Sequence, residues 1–413
     1  MVDHYYAHGR PKKERSLLPK ILLVIGVVVA LAYGASLGMA WFSPESGGDV
    51  EASVVTNLDQ ARLLVQQEKF SEAEVLLQPI LERSTDPVIA PQAMLVKAEI
   101  LERTNKTPEA LALLEQASNR YASSPEYPEV ASHYARLLDK SGQREQAKLV
   151  YEQLNDSAPP AFRAAALVGM ARQAEQDKNA GQARELYAKA VKDAEFNSEP
   201  WNEAVDALGR LNVEAVFSQD ETPDSKYYTV AKGDTLTSIG IKLNTTQGLL
   251  TRANGITEDA KLDLGQKLKF TPKDFRIIVE RSTCTLYLLD KQGLFKRYRV
   301  GLGMPGYETA LGKYTIGNKQ KDPTWFKPGA AAIPPGDPNN ELGTRWMPLV
   351  PAEAKELPTD LGIHGTIAPD TIGLYKSHGC PRLLNSDVEE LYDLIVRSTP
   401  VEIVDTLDAT QLG

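Results

Sequence analysis

Residues 53–218 repeat. The segments EKFSEAEVLL, NKTPEALALL, GQREQAKLVY and KNAGQARELY place an alanine at Ala73, Ala110, Ala147 and Ala183, at spacings of 37, 37 and 36 residues. A fixed period of this length marks stacked copies of one supersecondary unit. Each copy opens with a polar turn and continues as an amphipathic helix. A preceding helix carries its own apolar stripe, such as Leu63, Leu64 and Val65, or Leu137 and Leu138. Alanine has no bulk beyond Cβ, so the second helix can approach the first closely. The pattern predicts an all-α solenoid of about four helix pairs, closed by a helix near residues 201–217. Its concave face would bind a peptide or partner protein, or the stack would serve as a spacer. His133 has no ligand-spaced companions and reads as an ordinary helical histidine. The polar segment 219–226, with Pro223, reads as a linker.

The repeat resembles tetratricopeptide units, slightly lengthened and mostly without their large aromatic positions. A multidomain chain follows from length as well. At roughly 100–200 residues per domain, 413 residues call for more than one. Hydrophobic content of 42% and charged content of 24% let each part build a core.

Residues 21–44 carry no charge. As a helix they would span about 36 Å, enough for a hydrocarbon core. Arg10, Lys12, Lys13, Arg15 and Lys20 precede the run, and Trp41 sits where an interfacial aromatic belongs. The positive-inside rule predicts a single-pass transmembrane helix, with residues 1–20 as a cytoplasmic tail and the rest outside. A cleaved signal peptide ending near Gly38-Met39-Ala40 is the alternative. Either way residues 45–413 are exported. The formal net charge is −9. With Asp3 and Glu14 set against its five basic residues, the tail is +3 and the remainder −12. An acidic body has no electrostatic footprint for nucleic acid.

Residues 227–272 read as strand, helix, helix, strand. Thr235 can cap a helix that starts at Leu236, and Asn254-Gly255 stops a second one. The strings YTVAKGDTL, RANGI and LGQKLKF resemble a LysM module, in order and over its whole length. The resemblance implies a βααβ fold that binds N-acetylglucosamine-containing glycans. It puts the sugar groove between Gly233, Asp234, Thr235 and Leu236 on one side and Asn254, Gly255 and Ile256 on the other.

Residues 275–405 alternate like strands, with a turn at residues 290–293 and another strand at 312–317. Residues 321–340, rich in Pro and Gly, read as irregular. A helix over residues 386–397, capped by Asn385 or Ser386, and a strand at 401–404 complete a mainly-β domain. Two cysteines, Cys284 and Cys380, are too few for a disulfide framework or a Cys-rich zinc site. Cys284 reads as a packed strand residue, and both thiols as free. The chemistry concentrates at GIHGT (residues 362–366) and SHGCPR (residues 377–382). An imidazole can take the thiol proton and leave a thiolate nucleophile. Gly379 lets the backbone bend before Cys380, so amide groups can point at a developing oxyanion. A metal at His364, His378 and Cys380 would lack a fourth close ligand, and a purely structural cysteine is the other reading. No metal or cofactor is expected.

His364-Gly365, then Ser377-His378-Gly379-Cys380 and Arg382, resemble the signature of the L,D-transpeptidase catalytic family. LGKYTIGNKQKDPTW and NNELGTRWMPL match its upstream pattern. The resemblance implies that Cys380 attacks the third residue of a peptidoglycan tetrapeptide stem, with His364 as general base and then acid. Gly365 would orient His364, and His378 would shape the site. The amides of His378, Gly379 and Cys380 would form the oxyanion hole. Arg382 would pair with a substrate carboxylate, and Ser377 would lie in the substrate-binding loop. A thioester would pass to a neighbouring amine as a 3→3 cross-link. Water would make the chain an L,D-carboxypeptidase, and a protein amine an anchoring transferase. The partners implied are peptidoglycan stems and glycan strands. The location implied is the bacterial inner membrane, with the later domains in the periplasm or cell-wall space. Pro381 departs from the family's aliphatic residue. It removes an N–H, and a weakened oxyanion hole would leave an inactive cell-wall-binding scaffold.

Overall fold

The computed structural model describes residues 47–326, 331–352 and 357–412. It divides into two compact units, residues 1–60 and 61–413. Helix α1 (Gly47–Gln66) begins in the first. The second contains α2 (Phe70–Arg83), α3 (Ile89–Arg103), α4 (Thr107–Arg120), α5 (Tyr127–Lys140), α6 (Arg144–Ser157), α7 (Pro160–Gln176), α8 (Ala180–Asp193) and α9 (Glu199–Phe217). Ala73, Ala110, Ala147 and Ala183 are fully buried, as close helix packing requires. The repeat has a second period that composition hides. Glu68, Asn105, Gly142 and Lys178 each adopt a positive φ, of 61°, 59°, 80° and 59°. They stand at the same place in successive inter-helix turns. The next amide in each turn reaches back to Leu64, Leu101, Leu138 or Ala174, which is the Schellman closure of a helix C-terminus.

Helix α9 ends the solenoid and also belongs to the next domain. One side packs Ala204, Leu208 and Leu211 against the last repeat. Its Val213 and Val216 enter the core of the β domain. Trp201 and Val205 cover Ile278, Tyr287 and Leu289.

The βααβ module comprises β1 (Lys226–Thr229), α10 (Leu236–Leu243), α11 (Gln247–Asn254) and β2 (Lys267–Phe270), with β1 antiparallel to β2. Thr235 caps α10 in a full capping box with Ser238. The segment before the module is held rather than loose, because Asp224 lies 3.7 Å from Lys273 Nζ and 3.9 Å from Arg184 Nη2.

The C-terminal β domain is built on β3 (Arg276–Glu280), β4 (Thr285–Asp290), β5 (Gly293–Arg299), β7 (Gly312–Ile316), β9 (Arg345–Pro351), β10 (Gly362–His364) and β12 (Pro400–Val404). Their order is β10-β9-β7-β12-β3-β4-β5, with β8 (Gln320–Lys321) paired to β9. All neighbours are antiparallel except β12 and β3. A parallel pair of β6 (Leu302–Gly303) and β11 (Tyr375–Ser377) stands beside this sheet. Helix α12 (Asn385–Leu394) buries Val388, Leu391 and Leu394 in the core.

Three sequence expectations need correction. Among the described residues no helix is long and apolar enough to cross a membrane. The longest, α1, has Asp49, Glu51, Asp59 and Arg62 in its sequence. The expected transmembrane helix, with the membrane partnership and inner-membrane location built on it, is therefore not supported. The segments that prompted it, residues 1–20 and 21–44, lie outside the described residues. Cys284 is not a strand residue. It closes the turn between β3 and β4 at φ 52°, with its amide on the Arg281 carbonyl at 3.1 Å. A hairpin needs such a left-handed residue to match strand twist. Neither Asn385 nor Ser386 caps α12, whose N-cap is Leu384 without a side-chain bond.

Candidate active site

Short β10 ends at His364, and the strand-like segment 381–383 lies against it. His364 N–H donates to the Pro381 carbonyl at 3.2 Å, and Leu383 N–H to the His364 carbonyl at 2.9 Å. On its other edge Arg382 exchanges two backbone bonds with Gly301, each 2.8 Å. Two segments separated in sequence thus become neighbours, and Cys380 and His364 line one cavity of about 600 Å³. Trp325, Phe326, Trp346 and Tyr307 contribute aromatic wall, and Glu308, Glu341 and Asp360 contribute carboxylates. A further cavity of about 700 Å³, between the α10–α11 loop and the end of α12, is lined by neither cysteine nor histidine.

His364 is buried, and its Nδ1 lies 2.8 Å from the Gly365 carbonyl. A carbonyl only accepts, so Nδ1 carries the proton and Nε2 keeps its lone pair. Burial lowers the pKa of His364 to about 4, against the opposing pull of that carbonyl. Cys380 is partly exposed, with Sγ 3.9 Å from the Asp360 carbonyl. Burial of the thiol among the cavity walls raises its pKa to about 11. The pair is therefore neutral at neutral pH. Both cysteines are free.

The other expected site residues divide by what their side chains touch. Gly379 has a φ of 119°, a conformation an L side chain rarely adopts. Its N–H is already given to Ser377 Oγ at 3.2 Å. Ser377 is buried and thus shapes the loop from within. His378 is exposed at the rim, edge-on to Tyr307 with ring centroids 5.2 Å apart. Arg382 lines the cavity but is 8% exposed, and its Nε and Nη2 are buried without a partner.

Asn385, read from the sequence only as a helix cap, instead serves the site. Its Oδ1 accepts from Thr366 N–H at 3.1 Å and Thr344 N–H at 3.4 Å, and its Nδ2 donates to the Thr366 carbonyl at 3.0 Å. A Cβ on Gly365 or Gly343 would sit within 2.1 Å or 2.3 Å of that oxygen. Asn385 therefore clamps the loop whose carbonyl orients His364.

In the LysM module the expected groove side chains serve the fold. Asp234 accepts from Tyr228 at 2.7 Å and from the Ala231 amide at 2.8 Å. Thr235 caps α10. Asn254 donates to Leu250 and Lys269 carbonyls and accepts the Lys269 amide, each at 2.8 Å. Gly233, at φ 86°, supplies the turn.

Comparison with known proteins agrees with this architecture. The L,D-transpeptidase catalytic domain matches residues 274–403, the LysM domain residues 228–271, and a tetratricopeptide repeat residues 105–172. A Bacillus licheniformis protein described as L,D-transpeptidase YkuD is 31% identical over 182 residues, covering 43% of this chain and 97% of that protein. Its Bacillus subtilis counterpart is 30% identical over 184 residues, with the same coverages of 43% and 97%. The solved catalytic domain of the E. faecium L,D-transpeptidase is 23% identical, covers 32% of this chain and 97% of its own, and has a TM-score of 0.25. The chain belongs to the L,D-transpeptidase family, with LysM and tetratricopeptide-like parts preceding the catalytic domain.

Proposed function

We propose that the chain is a peptidoglycan L,D-transpeptidase working through a thioester on Cys380. The observation that carries this is one cavity lined by both Cys380 and a His364 whose Nδ1 is committed to Gly365. Nε2 takes the thiol proton as Sγ attacks the carbonyl of the third stem residue. The amides of His378 and Cys380 receive the oxyanion, since Gly379 has spent its own on Ser377. The C–N bond to the terminal D-alanine breaks, and its nitrogen leaves with the proton from His364. An acceptor amine then attacks the thioester and gives a proton to His364. The C–S bond breaks and the thiolate recovers that proton. Glu308, Glu341 and Asp360 line the cavity and favour an amine, cationic before it reacts, as acceptor.

His378 shapes the rim. Arg382, buried behind the nucleophile, adds positive charge under the substrate. Pro381 is compatible with activity. Its carbonyl faces His364, and in an extended strand N–H and C=O of one residue share an edge. The donor that proline removes would have faced β10 rather than the oxyanion. The LysM module holds the glycan strand through main-chain carbonyls of the loops at residues 233–236 and 254–256, because the polar side chains and most of the amides there are already engaged.

Incubation with a disaccharide tetrapeptide and intact mass measurement tests the reading. A thioester on Cys380 that is absent from Cys380→Ala is expected. His364→Ala should slow its formation by about 10²–10⁴-fold. Muropeptide masses should show cross-links in excess of hydrolysed stems. Folded protein that binds stems without forming any adduct, and gains activity only as Pro381→Ile, would establish the scaffold instead.

A further inference from the structure

Thr309 lies 71 positions before Cys380 in a loop with neither cysteine nor histidine, yet it is 1% exposed. Its Oγ1 donates to the Gly379 carbonyl at 2.7 Å and accepts the Gly303 amide at 3.0 Å. Gly303 permits this approach, because a Cβ there would sit 1.9 Å from the Tyr307 carbonyl and 2.7 Å from the Thr309 nitrogen. The hydroxyl is therefore fixed from the β6 side and aimed at one carbonyl.

That carbonyl shares a peptide group with the Cys380 N–H. A trans peptide is planar, and its C=O and N–H point in opposite directions. Whatever holds the Gly379 carbonyl also aims the Cys380 amide. Glycine is the residue whose dihedrals hold a peptide plane least firmly, so the plane after Gly379 needs an external anchor. The plane before it is anchored by the bond from Gly379 N–H to Ser377 Oγ. Thr309 sits in the interior behind the loop, and Cys380 lines the cavity in front.

We infer that Thr309 is a positioning residue, whose hydroxyl turns the Cys380 amide toward the oxyanion of the acyl-transfer intermediate. The inference rests on the proposed thioester chemistry and adds a requirement to it. Acylation creates an oxyanion. Alkylation of the same sulfur by iodoacetamide, a displacement at saturated carbon, does not. A residue that only packs the loop would affect both reactions. One that aims an oxyanion donor affects acylation alone.

The experiment uses the full chain as wild type, Thr309→Val and Thr309→Ser. Acylation of Cys380 by a tetrapeptide stem and alkylation by iodoacetamide are timed by intact mass. The valine variant should lose about 10²–10³-fold in kcat for acylation, with KM and the alkylation rate unchanged. Serine, which keeps the hydroxyl, should restore most of the loss. If the valine variant does not fold, Thr309→Ala decides the matter in the same two assays. Acylation at the wild-type rate without the hydroxyl would overturn the inference alone, as would a parallel fall of acylation and alkylation. A wild type that alkylates but never acylates would overturn the thioester reading, and this inference with it.

Discussion

Cys380 and His364, the proposed nucleophile and base, rest as a neutral pair, and this sets the pH response the proposed chemistry should show. His364 falls from 6.5 to about 4 because burial disfavours the imidazolium. Cys380 rises from 9.0 to about 11 because burial disfavours the thiolate. Above about pH 4 the imidazole can accept a proton, and below about pH 11 the thiol still has one to give. The kcat/KM for acylation should stay level through pH 6.5, where an ordinary histidine would titrate, and fall only as pH drops toward 4. Iodoacetamide, which needs the thiolate, should react slowly at about pH 8 and with a midpoint near 11. A rate midpoint near 6.5 or an alkylation midpoint below 9 would contradict the neutral pair. Cys380 and His364 were legible in sequence because their residue types are scarce and closely spaced. Thr309 and Asn385 were not. They are common polar residues whose importance comes from main-chain groups folded onto them, and no spacing rule connects Thr309 to Gly379.

At the scale of elements, burial pattern was legible and turn geometry was not. The repeating alanines announce where helices touch, and all four are buried. The matching left-handed residues escaped notice because only one of them, Gly142, is a glycine. A left-handed conformation costs an ordinary L residue roughly 1–2 kcal/mol; Glu68 and Lys178 bear that strain, whereas Asn105 is of the type that tolerates it. Gly142→Ala should therefore destabilise the protein by about 1 kcal/mol, although no atom lies within 4 Å of the added Cβ. Lys178→Gly should stabilise it slightly, since relief of strain is partly offset by about 0.5–1 kcal/mol of added unfolded-chain entropy. Urea midpoints of the two variants check the pair, and alanine without effect at Gly142 would refute the strain argument. Strands β9 and β10 were missed for a related reason. Proline interrupts β9 at Pro348, and β10 is three residues long, so neither shows a full alternation.

Across residues 61–412 the domains are joined by burial rather than strung on linkers. Helix α9 seals both the solenoid and the sheet. Arg297 on β5 meets Asp206 at 2.7 Å and Asn202 at 2.6 Å, and a Cβ on Gly209 would lie 2.9 Å from Lys296. The LysM module docks on the catalytic domain through Arg252, 3.3 Å from Asp393 and stacked 3.7 Å over the Phe217 ring of α9. Sequence could mark the composition change after residue 218, but not that the preceding helix is shared, because one amphipathic helix looks the same whichever partners cover it. A fragment starting at residue 220 would leave the sheet without Val213, Val216 and Trp201. One starting at residue 199 would keep them. Trp201→Ala tests the joint directly. Trp201 is 3% exposed and packs against Ile278, Tyr287, Leu289 and Leu407, so its removal should cost about 3–5 kcal/mol. If α9 joins the two domains, amides of β3 and β4 should lose hydrogen-exchange protection together with those of α8. Loss confined to the solenoid, with β3 and β4 as protected as in the wild type, would show that the sheet is stable without the helix.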